Sequence, residues 1–292
     1  MTHTLGLSSG FFKEPTADKW RAAVAAGFTD AELGFPWKFP PEAMLEDVRR
    51  NHAILQEAGV NIFSAHLPFG WLWDPSDLDP SALEKALQRF KGLLDWIDAQ
   101  GIPLAVLHAS FEPIPPEERP ARLQTAARSI AELSAYAKER GVALAVENLP
   151  RTCLGNTAAE TLALAEGAAG VCFDANHLLI ESHAAFLAAA GPRVITTHFS
   201  DYDFADERHW FPGAGAIDWP ALLRDLNAAG YTGRYIFELG ENGTPSTGHF
   251  TPAQLAKGFH AFLQRGQGSP WGISVADTTG RSCRVATEGV KR

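Results

Sequence analysis

Several short apolar runs in this chain end in an acid or a histidine. The runs in "GVALAVE" and "GVCFD" end in Glu147 and Asp174, and those in "VITTH" and "YIFE" end in His198 and Glu238. If these side chains meet, three carboxylates and one imidazole form an oxygen-rich site suited to a divalent cation. The candidate cofactor is therefore Mn²⁺, Mg²⁺, Co²⁺ or Zn²⁺, which the residue types do not rank.

Two more apolar runs end in a histidine, since "SAH" and "VLH" place His66 and His108 in the same register. Glu32 also ends such a run, but we interpret it as an ordinary hydrogen-bonded acid, because a single polar group at a strand end is more often structural. The histidines inside predicted helices show no such register; they are His52, His183 and His260.

The segments that must position these residues repeat along the chain. An alanine-rich helical stretch ends at a glycine, which can adopt the left-handed conformation that closes a helix, and an apolar strand follows. The glycines at these seven joints are Gly27, Gly59, Gly101, Gly141, Gly170, Gly191 and Gly230. A first strand at 5–9 makes eight strands alternating with helices, which predicts an α/β fold, a single closed (β/α)8 barrel.

Helix-start signals agree with this alternation. "SALE" and "TAAE" are typical of capping boxes, at Ser81 with Glu84 and at Thr157 with Glu160. A doubly wound open sheet would alternate in the same way, but "SSGFFKEP" after the first strand lacks the glycine-rich phosphate fingerprint of that fold. In a barrel the carboxyl ends of all strands share one face, so the acids and histidines above are expected to converge there as a metal site.

Composition limits the remaining possibilities. The 292 residues are 46% hydrophobic and 20% charged, enough for one large core. We expect one domain at 1–266 and a flexible C-terminal tail at 267–292. A net charge of −9 disfavours a nucleic-acid partner. The absence of a long apolar run, a leader pattern or close cysteine spacing favours a cytoplasmic protein that does not enter membranes, and a homo-oligomer is compatible with the sequence.

Five motifs in this order resemble the xylose isomerase-like TIM barrels: "AVENLP", "FDANH", "THFSDYD", "HWFPGAGAIDW" and "FELG". The resemblance covers residues 4 to about 265. It implies one divalent ion held by Glu147, Asp174, His198 and Glu238, with His177 reaching the substrate or a further ion. The superfamily includes sugar isomerases, ketose 3-epimerases, inosose dehydratases and endonuclease IV, and the motifs do not choose between them.

Similarity to the ketose epimerases implies an isomerase or epimerase of a small carbohydrate or cyclitol. Glu147 and Glu238 would then be the catalytic acid/base pair around an enediolate. A metal-dependent lyase or dehydratase of a keto-sugar or inosose is an alternative within the same superfamily.

Similarity to endonuclease IV implies another alternative, a multi-zinc phosphodiesterase. The residues in the matching motifs, as substrate-binding groups or ligands of a second metal, are His66, His108, His177, Glu207 and His209. Glu207 stands where that branch has an aspartate. The negative net charge and the few basic residues in the loops weigh against a DNA substrate.

The loops after the strands are rich in aromatic residues, which as a group suit the apolar faces of a sugar, while a hydrophobic lid or an oligomer contact is an equal alternative for any single ring. They are Phe11, Phe12, Trp37, Phe69, Trp71, Trp73, Phe111, Tyr202, Trp210 and Phe211. Trp37 and Arg208 are candidates for substrate binding. "PGAGAIDW" fits either a phosphate cradle or a tight loop before a helix capped by Asp218, and we favour the loop and hence an unphosphorylated substrate.

Overall fold

The structure, a computed structural model, describes residues 3–36, 40–242 and 250–265, with side chains as far as residue 260. The strands are β1 Leu5–Ser8, β2 Phe28–Gly34, β3 Asn61–His66, β4 Leu104–Leu107, β5 Ala143–Glu147, β6 Gly170–Asp174, β7 Val194–Phe199 and β8 Tyr235–Phe237. The helices are α1 Ala17–Ala25, α2 Pro41–Glu57, α3 Pro80–Ala99, α4 Arg119–Lys138, α5 Ala158–Leu164, α6 His183–Ala190, α7 Trp219–Ala228 and α8 Pro252–Arg265.

The eight strands form a closed parallel barrel in sequence order, with β8 pairing back to β1. The predicted (β/α)8 fold is therefore confirmed. Trp37 and the predicted tail lie outside the described residues. Among the helices that the structure describes, none has the length and apolar character needed to cross a membrane.

Alternation along the strands separates the barrel interior from the layer beneath the helices. Val106, Ala145 and Cys172 each lie two residues before a predicted site residue, and with Leu104 they form an apolar cluster separate from the main core. Since residues two apart on a strand face the same side, this cluster fills the barrel below the polar residues. The strand residues of opposite parity pack outwards: the Phe173 ring lies 5.5 Å from that of Phe186 on α6.

Two details of the predicted helix ends are corrected. Five of the seven joint glycines have positive φ, but Gly170 and Gly191 do not. These two are small for packing reasons, because a Cβ on Gly170 would lie 2.6 Å from the Arg193 carbonyl oxygen and one on Gly191 would lie 2.5 Å from the Ala229 Cβ. The N-cap of helix α3 lies two residues earlier than predicted, since the side chain of Asp79 rather than that of Ser81 accepts the capping hydrogen bond.

Candidate metal centre and active site

Glu147 lies at the centre of the polar cluster at the carboxyl ends of the strands. It ends β5 and is fully buried, because the alternation that turns Ala145 into the barrel turns Glu147 the same way. One carboxylate oxygen, Oε2, lies 3.1 Å from His66 Nε2 and 3.3 Å from His108 Nε2. The other, Oε1, lies 3.2 Å from His198 Nδ1 and 3.3 Å from His177 Nδ1. The apolar run thus ends in a charge that four imidazoles surround.

Burial alone would raise the pKa of Glu147, but the imidazoles of His198 and His108 outweigh it and hold the pKa well below its usual value. Glu147 is therefore ionised at neutral pH. A buried carboxylate in this state needs compensating positive charge, which protonated histidines or a cation can supply.

Asp174 ends β6, and the backbone at this residue is fixed by a side chain that sequence reasoning missed. Asn148 Oδ1 accepts a hydrogen bond from the Asp174 amide at 2.8 Å, and Asn148 Nδ2 donates to the Asp174 carbonyl at 2.9 Å. The Asp174 Oδ1 atom accepts from the Asn176 amide, whereas Oδ2 is buried without a hydrogen-bond partner among the described residues. Burial raises the pKa of Asp174 to about 6.

His198 and Glu238 complete the predicted group. His198, within β7, directs Nδ1 towards Glu147 Oε1 and Glu238 Oε2, each 3.2 Å away. Glu238 follows β8, and its amide donates to the Phe199 carbonyl at 3.2 Å, continuing the ladder past the strand end. Burial would raise the pKa of Glu238, but the His198 imidazole, through charge and a hydrogen bond, lowers it far below the usual value.

The four predicted metal ligands fit a divalent cation. One ligand atom from each of Glu147, Asp174, His198 and Glu238 lies within 4.8 Å of the others. The unpartnered Asp174 Oδ2 is the atom that a cation would satisfy, because a buried carboxylate oxygen without a partner is costly. Three carboxylates so close together repel one another unless positive charge lies between them.

His66 and His108 form a second group with Glu147. The His66 ring approaches a backbone acceptor with Nδ1, 2.9 Å from the Leu67 carbonyl, which leaves Nε2 towards Glu147. Burial lowers the pKa of His66, but Glu147 outweighs this and raises it to about 9. His108 has its pKa lowered by burial, and its ring stacks on Phe69 with the centroids 4.5 Å apart.

His177, Glu207 and His209 form a third group with ligand atoms within 4.8 Å. His209 Nε2 lies 3.2 Å from Glu207 Oε1, a contact that lowers the pKa of Glu207 to about 2. Although burial opposes it, the pKa of His177 rises to about 10, chiefly because of the Asp174 charge. The structure therefore brings all five additional histidine and glutamate candidates next to the four-residue group.

Arg151 ties this third group to the neighbouring loops. Its guanidinium contacts Glu207 Oε2 at 2.8 Å, Asp206 Oδ1 at 2.9 Å and Glu112 Oε1 at 2.5 Å. The last of these acids belongs to the loop after β4, so one side chain joins three loops at the barrel mouth. Arg208 is similarly engaged, with both Nε and a terminal nitrogen 3.0 Å from Asp203 Oδ2.

The aromatic residues near the mouth divide into two sets. Five of these ten rings are part of the core, each no more than 6% exposed: Phe11, Phe12, Trp73, Tyr202 and Phe211. The rings left accessible include Phe69, Trp71 and Phe111, which are 40%, 60% and 37% exposed. Composition showed the richness in aromatics but could not show which rings point inwards.

Asp201 explains the "PGAGAIDW" segment and was also missed by sequence reasoning. Its buried carboxylate accepts hydrogen bonds from the amides of Tyr202, Gly213 and Ile217 and from the Trp219 indole, at 2.6–3.1 Å. A Cβ on Gly215 would lie 2.4 Å from Asp201 Oδ1. The Gly213 and Ile217 amides of this loop thus bind a carboxylate of the protein itself, which agrees with the tight-loop interpretation.

Comparison with known proteins identifies the family of this chain. Residues 20–263 match the family model described as xylose isomerase-like TIM barrel, and the chain belongs to that family. A protein called y4fM from Sinorhizobium fredii is 28% identical over 227 residues, covering 72% of this chain and 71% of that protein. A 2-oxo-tetronate isomerase from Pectobacterium atrosepticum is 31% identical over 119 residues, 41% of this chain and 44% of that protein.

Solved structures share this barrel at low sequence identity. Among them is a D-tagatose 3-epimerase-like protein with a TM-score of 0.71 and 18% identity, covering 90% of this chain and 96% of that one. At this level of identity the likeness establishes the shared barrel.

Proposed function

We propose that this protein is a divalent-metal-dependent isomerase or epimerase of a small carbohydrate or cyclitol. The observation that carries the proposal is the four-residue group, in which Glu147 and Glu238 approach the same nitrogen of His198 from strands β5 and β8 at 3.2 Å each. The names of the relatives, an isomerase of a 2-oxo-tetronate and an epimerase-like protein of a ketose, support the same class of reaction.

Glu147, Asp174, His198 and Glu238 would hold the cation, which would polarise a substrate carbonyl or hydroxyl oxygen. Glu147 and Glu238 would exchange protons with carbon, one removing hydrogen next to the carbonyl and the other returning it, with an enediolate between the two steps. Their lowered pKa values keep both ionised, as a base must be, but also make them weak bases. The reaction therefore depends on an acidified C–H bond.

A cavity of about 250 Å³ beside Glu238 and His66 supports a substrate the size of a simple sugar. Its wall includes Ser8, Ser9 and Asn51, and the Asn51 Oδ1 atom is buried without a hydrogen-bond partner among the described residues. Such an atom can accept a hydrogen bond from a substrate hydroxyl. We assign this side of the site to the hydroxylated part of the substrate.

The charges at the mouth favour an unphosphorylated substrate. Arg151 is compensated by three acids and Arg208 by Asp203, and the glycine loop amides are bound to Asp201. Trp37 and Arg208 remain proposed substrate contacts, and both are compatible with a substrate that carries no phosphate.

Solvent deuterium exchange tests this proposal. The metal-loaded enzyme, incubated with a panel of ketoses and keto-acids in deuterated water, should label one carbon next to a carbonyl. Glu147→Gln and Glu238→Gln keep the size and one oxygen ligand but remove the base, so labelling should fall by about 10²-fold or more. Conversion without any solvent label would refute the proton mechanism.

The second candidate is a multi-metal phosphodiesterase. It is favoured by one observation, namely that the groups around His66 and His108 and around His177 and His209 flank the central group and could each hold a further ion. The net charge of −9 and the compensated arginines oppose a DNA substrate. Cleavage of abasic DNA that Glu147→Gln abolishes, together with no turnover of any carbohydrate, would select this candidate.

A further inference from the structure

Glu32 is a buried acid without a role in the chemistry described so far. It lies in β2 and is 1% exposed. Its Oε2 atom accepts a hydrogen bond from Ser64 Oγ on β3 at 2.7 Å, and its Oε1 atom lies 2.9 Å from His198 Nε2. The 2.9 Å pair is a close contact rather than an aligned hydrogen bond, and neither Oε1 nor Nε2 has a hydrogen-bond partner in the described part of the chain.

The two nitrogens of the His198 ring therefore have different neighbours. Nδ1 faces the carboxylates of Glu147 and Glu238, whereas Nε2 faces Glu32. A carboxylate on one imidazole nitrogen favours the tautomer that carries its proton there, and the other nitrogen then presents a lone pair. Cys172 also lies close to His198, but a thiol is a weaker hydrogen-bond partner for an imidazole than a carboxylate.

We propose that Glu32 is a positioning residue that fixes the His198 ring and its tautomer so that Nδ1 is the metal-binding atom. The inference rests on the proposed metal site and adds the residue that prepares it. Glu32 is not a member of any group of potential metal ligands found among the described residues, so it would act through His198. Ser64 holds the far oxygen and restrains the carboxylate.

Metal affinity tests this proposal without a substrate. The dissociation constant for Mn²⁺ and the visible absorption band of bound Co²⁺ are measured for the purified full-length protein and for Glu32→Gln. The amide can turn either its oxygen or its NH₂ group to Nε2 and no longer fixes the tautomer. We expect the Mn²⁺ dissociation constant to rise about 10- to 100-fold and the Co²⁺ band to shift, as for other partners of metal-binding histidines.

Asp30→Asn is the matched control. Asp30 lies on the same strand two residues earlier, is 3% exposed, and pairs with Arg234 at 2.8 Å, outside the cluster. We expect this variant to lower the melting temperature and leave both metal readouts within twofold of wild type. Equal loss of metal affinity in both variants would overturn the proposal, because a general loss of barrel stability would then explain it.

Two further outcomes are decisive. If Glu32→Gln does not fold, Glu32→Asp keeps the charge but retracts it by one methylene, and it should show the same changes to a smaller extent; wild-type affinity in that variant would overturn the proposal. A wild-type protein that binds neither ion defeats the proposed metal-dependent function, whereas a metal-binding wild type with an unaffected Glu32→Gln defeats only the role of Glu32.

Discussion

Replacing Asp201 by Asn should destabilise the loop that carries Glu207 and His209. The backbone of Asp201 pairs with Trp210 through two hydrogen bonds of 2.7 and 2.9 Å, and its carboxylate accepts four more. Tyr202 and Ile217 donate to Oδ1, while Gly213 and Trp219 donate to Oδ2. Asn has one acceptor oxygen, so its NH₂ group must face two N–H donors.

The expected loss of stability follows from the number of hydrogen bonds that the substitution removes. Two hydrogen bonds to a charged acceptor are lost, at about 1.5–3 kcal/mol each, and relief from burying the charge offsets part of this loss. We expect the free energy of unfolding to fall by about 3 kcal/mol, because the two lost bonds outweigh the offset. In a domain of this size the melting temperature should fall by about 6–12 °C.

Urea denaturation followed by tryptophan fluorescence measures this loss. Asp218→Asn is the control, because Asp218 is exposed and caps α7 through the Ala221 amide, a position where Asn caps equally well. The control should stay within about 0.5 kcal/mol of wild type. An Asp201→Asn variant as stable as the control would show that these hydrogen bonds do not stabilise the loop.

The remaining predictions concern the cation and pH. Removing the metal should abolish activity and lower the melting temperature, since a ligand at 100 times its dissociation constant stabilises by about 2.7 kcal/mol, and unchanged activity after verified metal removal would contradict this. Asp174→Ala should lose the ion, whereas His177→Ala should retain it and raise KM; equal metal loss by elemental analysis would make His177 a ligand. Burial lowers the pKa of His183 below 6.5, so the unfolded chain binds the proton more readily and stability should fall as the pH drops below 6.5. His183→Gln should reduce that slope, by at most about 1.4 kcal/mol per pH unit, in denaturation curves at pH 5–7, and an unchanged slope would rule out this contribution.

Much of the fold and the central group could be predicted because their signals are local. The repeated glycine joints specify eight units, and an acid or histidine at the end of an apolar run marks the face where strand ends meet. His66, His108, His177, Glu207 and His209 were likewise predicted to lie near this face, and the structure brings them there.

The parts that sequence reasoning missed depend on contacts between distant segments. Asn148 and Asp201 act by accepting hydrogen bonds from backbone amides of other strands and turns. No neighbouring residue in the sequence indicates where those donors lie. Glu32 was interpreted as an ordinary hydrogen-bonded acid, and its hydrogen bond from Ser64 agrees with that, but no local pattern indicates its contact with His198, which comes from β7. Which aromatic rings are buried could not be predicted, because loop composition does not specify side-chain direction.

The most direct test of the metal centre is anomalous scattering from crystals of the metal-loaded protein, recorded at the absorption edges of Mn, Co and Zn. We predict one ion bound by Glu147, Asp174, His198 and Glu238, with the His198 bond made through Nδ1. Three ions, with the outer two at His66 and His108 and at His177 and His209, would contradict it and favour the phosphodiesterase.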